Sequence, residues 1–308
     1  MKTKTALLLL FIVLLVFLAR SPAVAEEREL DPAQATPIAV DAKEGYAFDS
    51  ANYLSDAEYY DPTIHVVIER DRYLETDMWI ARVRIAHPSQ LRSAFAGRYG
   101  GQTVAAAASI AKRVNAVVAI NAANYSFENH GIVLLQGHLY RERPNGEEDV
   151  LIIDDKGDFH IVMQASKESF AEAYEAMGGS WEDGGSVVNV ISFGPLLVKD
   201  GTYAHETYYR YNTGAHRLAQ RMVVAQTGPL SYLLVTCEGP ESPNSTGLTL
   251  QQMADYLVDL GCETAYNLDG GSSSTLVFQN KKINSLDTQK VRPVADIIYF
   301  SSGIADGR

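Results

Sequence analysis

Within eight residues, Asn267-Leu268-Asp269-Gly270-Gly271-Ser272-Ser273-Ser274 carries a carboxamide, a carboxylate, two glycines and three hydroxyls, set between two apolar runs. A carboxylate can serve as base, nucleophile or electrostatic stabiliser, while amides and hydroxyls orient a polar ligand. Glycines let backbone N–H groups approach that ligand closely. A tight hairpin needs only two residues, so this excess of polar groups has the composition of a binding site. The same residue types also suit a solvated turn.

The flanking elements place this stretch. Leu230–Cys237 reads as a buried strand. Thr249 is a helix N-cap, Met253, Ala254, Leu257 and Leu260 form one apolar stripe, and Gly261 ends the helix. Glu263–Leu268 is the next strand. A strand-helix-strand passage of this kind makes parallel strands. If they are neighbours, about 4.8 Å apart, Glu238-Gly239 and Asp269-Gly270 share one sheet edge with their carboxylates about 5–9 Å apart. That range covers both glycosidase geometries. Glu238 equally suits a solvated Glu-Gly-Pro turn. In the same arrangement Cys237 ends one strand and Cys262 begins the next, about 20 Å away, too far for a disulfide. Two free, buried thiols are expected.

A second helix-strand-loop order occurs earlier. Gln102 to Val114 has apolar residues at helical spacing, with Gln102 or Thr103 near its start. Val117-Val118-Ala119-Ile120 follows as a buried strand, and Asn121-Ala122-Ala123-Asn124-Tyr125 as a polar loop. Asn121 and Asn124 can bind a ligand or close Asx turns. Glu128, His130, His216 and Arg217 are further polar candidates, each equally at home on a surface. His130, His205 and His216 lack the spacing of a zinc site. Ser272 lacks the strand-elbow-helix setting of a hydrolase nucleophile. There is no P-loop.

Lys2 and Lys4, the apolar run from Ala6 to Ala19, and Ala23-Val24-Ala25 ahead of Glu26 have the pattern of an export signal. The expected organisation is a signal peptide over 1–25, an extended acidic arm over 26–61 with a short helix near Ser55–Tyr60, and one domain over 62–308. A secreted or periplasmic protein follows, with no stable membrane insertion once the signal is removed. The whole chain has a net charge of −12, and loss of the signal leaves about −15. Such an acidic chain lacks the basic footprint of a nucleic-acid binder. Many short strands and three clear helices predict an α+β fold: mixed sheets with a few packed helices and a C-terminal strand-helix-strand unit.

Four segments in order resemble the phosphodiester glycosidase family: Val118-Ala119-Ile120-Asn121, Phe193-Gly194-Pro195-Leu196-Leu197-Val198-Lys199-Asp200-Gly201, Gly247-Leu248-Thr249-Leu250, and Asn267-Leu268-Asp269-Gly270-Gly271-Ser272-Ser273. The resemblance spans about Val104 to Phe300. Three segments depart from the family pattern. Asn121-Ala122-Ala123-Asn124-Tyr125 replaces Asn-Gly-Gly-Phe-Phe, Arg217-Leu218-Ala219-Gln220-Arg221 lacks the final glycine of Arg-Thr-Ala-x-Gly, and Glu238-Gly239 stands for Asp-Gly.

The resemblance implies an exported hydrolase that cleaves a sugar-1-phosphodiester in a glycan or cell-envelope polymer. Asp269 would be its first catalytic carboxylate and Glu238 its second. Gly270, Gly271, Ser272 and Ser273 would offer donors to phosphate or sugar oxygens. Arg217 would supply positive charge, and Asn121, Asn124 and Asn267 would bind sugar hydroxyls. The expected partner is a carbohydrate or phosphoglycan. No cofactor is required, and a divalent cation near Asp269 stays open. The alternative is an exported glycan-binding protein that keeps the fold without the chemistry.

Overall fold

Ile64–Tyr73 and Thr76–Ile85 alternate inward and outward side chains, and Leu74 and Glu75, at φ 45° and 56°, close them into a tight hairpin. Around it the computed structural model describes residues 28–123, 125–178, 186–204, 214–284 and 291–305. The early strands are β1 (Tyr53–Ser55), β2 (Glu58–Asp61), β3 (Ile64–Tyr73), β4 (Thr76–Ile85), β5 (Leu91–Phe95) and β6 (Val118–Asn121). Next come β7 (Gly131–Leu135), β8 (His138–Arg143), β9 (Val150–Asp154), β10 (Phe159–Val162), β11 (Val187–Ser192), β12 (Leu196–Lys199) and β13 (Thr202–Tyr203). The last are β14 (Met222–Gly228), β15 (Ser231–Cys237), β16 (Thr264–Leu268), β17 (Leu276–Phe278), β18 (Lys281–Lys282) and β19 (Asp296–Phe300). The α-helices among the described residues are α1 (Ala107–Arg113), α2 (Lys167–Ala176) and α3 (Leu250–Asp259). None is long and apolar enough to cross a membrane.

The strands form three sheets, ordered β1-β2-β3-β4-β15-β14-β16-β12-β13, β10-β9-β11-β7-β8 and β18-β17-β6-β19-β5. The expected α+β architecture is present, with every strand pair antiparallel. All three sheets turn one face to a common core. Val66, Val224 and Leu268 come from the first sheet, Leu151 and Ile191 from the second, and Ile120, Leu276 and Phe300 from the third. Each opposite face is covered by one helix. On the first sheet, α3 packs Met253, Ala254 and Leu257 on Val223 and Val235; α1 covers the third sheet and α2 the second.

The strand-helix-strand unit β15-α3-β16 exists, but its strands are not neighbours: β14 lies between them, antiparallel to both. The reason is steric. A short turn at Gly228–Leu230 folds β14 onto one side of β15, β4 occupies the other, and β16 can join only beyond β14. Cys237 and Cys262 are free and buried, as expected. Near Ser55–Tyr60 the expected helix is instead the β1–β2 hairpin, because alternation buries Tyr59 and Asp61 on one face. Helix α1 starts later than its apolar spacing suggests: Ala105 bridges Val294, and Gln102 adopts φ 50°. Residues 1–27, which include the expected signal peptide, lie outside the described residues.

The caps read from sequence are present. Thr249 accepts from the Gln252 N–H at 3.2 Å while Gln252 accepts from the Thr249 N–H at 2.9 Å. Thr249→Ala removes the first of these bonds. It should lower stability by about 1 kcal/mol in urea unfolding with an unchanged m-value.

Candidate active site

The loop from Leu268 to Thr275 carries the chain from the first sheet to the third. It is held at both ends by one side chain. Asn121, at the end of β6 and 1% exposed, donates from Nδ2 to the Asp269 carbonyl at 2.7 Å, and its Oδ1 accepts from the Thr275 N–H at 2.9 Å. The Asp269 N–H also donates to the Ala122 carbonyl at 3.3 Å. Both functions of the Asn121 carboxamide are thus used to set the loop. The Asp269 side chain is left half-buried at the sheet edge.

Inside the loop the two glycines do different work. A Cβ on Gly270 would stand 2.7 Å from the Gln220 carbonyl, so the loop can lie against β14 only without one. Gly271 adopts φ 60° and donates its N–H to that same carbonyl at 3.0 Å. Ser273 and Ser274 donate their N–H groups to Gly270 and Gly271. Those three amides are engaged within the protein, and Ser272 is exposed. Ser273 is fully buried, and its Oγ lacks a hydrogen-bond partner among the described residues.

Asn267 is buried in β16. Its Nδ2 donates to the Gly194 carbonyl at 2.8 Å, fixing the turn that contains the cis Gly194–Pro195 bond, and its Oδ1 has no hydrogen-bond partner among the described residues. Asn124 lies outside the described residues. Arg217 is exposed, and its carbonyl accepts from Arg221. Arg221 is buried, donating also to the Gly214 and Leu248 carbonyls, and burial pulls its pKa below the ordinary arginine value.

Glu238 is 3% exposed and follows β15, its N–H donating to the Asp77 carbonyl at 2.9 Å. Because β14 intervenes, the strands bearing Glu238 and Asp269 are two spacings, about 10 Å, apart. The sequence expectation of adjacent strands is corrected accordingly. Glu238 lines a cavity of about 360 Å³ with Asp71, Asp77 and Trp79, whose ring is covered by the Arg70 guanidinium at 3.9 Å. Asp269 does not line that cavity.

Arg292, which the sequence does not single out, donates its backbone N–H to the Ser272 carbonyl, and its guanidinium stacks on Phe127 at 4.6 Å. His130 stands between two carboxylates, 3.1 Å from Glu128 Oε2 and 3.3 Å from Glu148 Oε1. Burial raises the Glu148 pKa above the ordinary carboxylate value, and His130 opposes that rise. Among the described residues no group of three or more His, Cys, Asp or Glu side chains is arranged to hold a metal ion.

The chain thus folds as three antiparallel sheets around one core, with the polar Asn-Leu-Asp-Gly-Gly-Ser turn where the first sheet passes to the third. A model of the phosphodiester glycosidase family matches residues 114–301, and the chain belongs to that family. The zebrafish N-acetylglucosamine-1-phosphodiester alpha-N-acetylglucosaminidase catalytic domain, auto-inhibited by pro-peptide, has a similar fold. Its TM-score is 0.60 at 16% identity, over 84% of this chain and 87% of that one. A hypothetical protein from Synechocystis gives a TM-score of 0.54 at 15% identity, over 80% of this chain and 64% of that one. The SPbeta prophage-derived uncharacterized protein YomE of Bacillus subtilis (strain 168) is 29% identical over 202 residues. That region is 63% of this chain and 29% of that protein, so the chain spans less than a third of this relative's length.

Asn121→Ala should lower stability by about 2 kcal/mol, since it strands a buried N–H and a carbonyl. Amide exchange at Thr275 should accelerate by more than the global loss explains; equal acceleration across the core would show that Asn121 does not hold the loop. Glu148 gives a pH test. Its folded pKa is raised, so its contribution to stability is complete below the unfolded value and drains away as pH rises through the folded value. His130→Gln removes the opposing charge and should move the Glu148 carboxyl titration, followed by NMR, further upward.

Proposed function

We propose that this protein is an exported hydrolase of sugar-1-phosphodiesters. Water adds at the anomeric carbon, the C1–O bond breaks, and a phosphomonoester leaves with the bonding electron pair. Phosphate is a weak base, so departure needs little help from a general acid. What the protein must supply is negative charge beside the oxocarbenium-like centre and a base for water. Asp269 takes that role. The observation that carries this reading is the two-ended hold of Asn121 on the Asp269 loop. It fixes the backbone that carries half-buried Asp269 before any ligand arrives.

Ser272 and Arg292 would meet the phosphate, the guanidinium offsetting the acidity of the chain beside a dianionic product. Glu238, on the far side of β14, would act on a more distant part of the substrate or on a relayed water. Asn267 orders the Gly194 turn behind the site. Membership of the phosphodiester glycosidase family supports the substrate class. The identity of the sugar rests on assay.

The test is release of sugar from α-linked hexose- and N-acetylhexosamine-1-phosphodiesters by the parent protein and by Asp269→Asn. The expected result is turnover by the parent and a loss of about 10³-fold in kcat in the variant, with unchanged circular dichroism. If the parent binds these esters without turnover and Asp269→Asn binds equally well, the protein is a glycan-binding member that has lost the chemistry.

A further inference from the structure

A second cleft, of about 550 Å³, opens beside this site and is not used by the reaction just described. Its size falls within the roughly 300–1,000 Å³ of small-ligand sites. Three tyrosines form its wall. Tyr99 stacks on Tyr125 at 5.1 Å with the rings 20° apart, Tyr140 lies 4.9 Å from Tyr99, and Phe95 backs all three at 4.8–5.5 Å. Tyr125 is buried and Tyr140 is 37% exposed, so the cluster is rigid at its base and open at its lip.

The cleft is mechanically continuous with the Asp269 loop. Only three residues of chain separate Asn121, which sets that loop, from Tyr125. Arg141 donates to the carbonyls of Tyr125 and Glu128 at 3.0 and 2.6 Å, bracing the intervening turn. Phe127, in the same turn, stacks under Arg292, whose N–H bonds Ser272. Phe127 and Arg292 thus link the segment lining the cleft to the Gly-Gly-Ser turn.

The lining chemistry selects the ligand. Tyrosines present flat apolar faces edged by hydroxyls, the complement of a sugar ring with C–H faces and hydroxyl edges. Gln102, Ser126 and Asn129 add neutral hydrogen-bonding groups, and Arg141 and Arg143 are balanced by Glu128 and Glu142. A polyanion would find no net positive charge here. Arg141 Nε is buried without a hydrogen-bond partner among the described residues.

We propose that the Tyr99–Tyr125–Tyr140 cleft is a saccharide-binding subsite continuing the Asp269 site, so that the substrate is an oligosaccharide or polymer rather than a single sugar ester. This deepens the hydrolase reading and rests on it for the direction of the chain, but binding can be measured without turnover. Calorimetric titration would use three tetrasaccharides, of α-1,4-glucose, β-1,4-glucose and β-1,4-N-acetylglucosamine, together with their monosaccharides. Each would be added to full-length Asp269→Asn protein and to the same protein carrying Tyr140→Ala or Tyr140→Phe.

The expected result is that at least one tetrasaccharide binds while its monosaccharide does not. Tyr140→Ala should weaken that binding roughly tenfold, and Tyr140→Phe, which keeps the ring, should retain most of it. No binding of any tetrasaccharide, or binding unaffected by Tyr140→Ala, overturns the subsite. Length-dependent, Tyr140-dependent binding in a protein whose parent hydrolyses nothing would sink the hydrolase reading and leave the subsite standing.

Discussion

The site depends on one buried carboxamide. Asn121 belongs to the third sheet, and the loop it holds begins in the first, so two hydrogen bonds of 2.7 and 2.9 Å join two sheets at their seam. Inside a protein such bonds are strong because the alternative is an unsatisfied buried amide and carbonyl rather than water. The loop can then be short, glycine-rich and still fixed. A glycine pair left to itself would sample many backbone states. The Gln220 carbonyl, accepting from Gly271 and leaving no room for a Cβ on Gly270, removes most of that freedom from the opposite side.

The strand between β15 and β16 sets the scale of the site. Had the crossover strands been adjacent, Glu238 and Asp269 would form a close carboxylate pair, and each would resist the other's ionisation. With β14 between them, distance weakens that repulsion. Arg221 stands where the family pattern has a glycine, and its three carbonyl acceptors belong to Gly214, Arg217 and Leu248. The arginine thus organises the chain ahead of β14 against the start of α3, replacing a flexible residue by a hydrogen-bonded strut.

Local signals in the sequence are obeyed and non-local ones are not visible. Thr249 caps the helix that its spacing predicts, a signal carried within one or two turns. The position of β16 depends instead on which side of β15 is already filled, and that is decided by β4, some 150 residues earlier in the chain. Arg292 on Phe127, and Glu148 beside His130, join segments far apart in the chain and have no sequence period to announce them.

The alanines at 122 and 123 show how a departure from a family pattern acquires meaning only in place. Both are buried, and both belong to the core shared by the three sheets. Neither has a positive φ, so the backbone there needs no glycine. Ala122 also donates its N–H to the Asp296 carbonyl and accepts from the Asp269 N–H, a ladder-like pattern that continues β6 past Asn121. Glycine at either position would leave the same hydrogen bonds, lose buried apolar surface and loosen the segment that carries Asn121. Both methyl groups pack in the core and stiffen the mount of the side chain that holds the Asp269 loop.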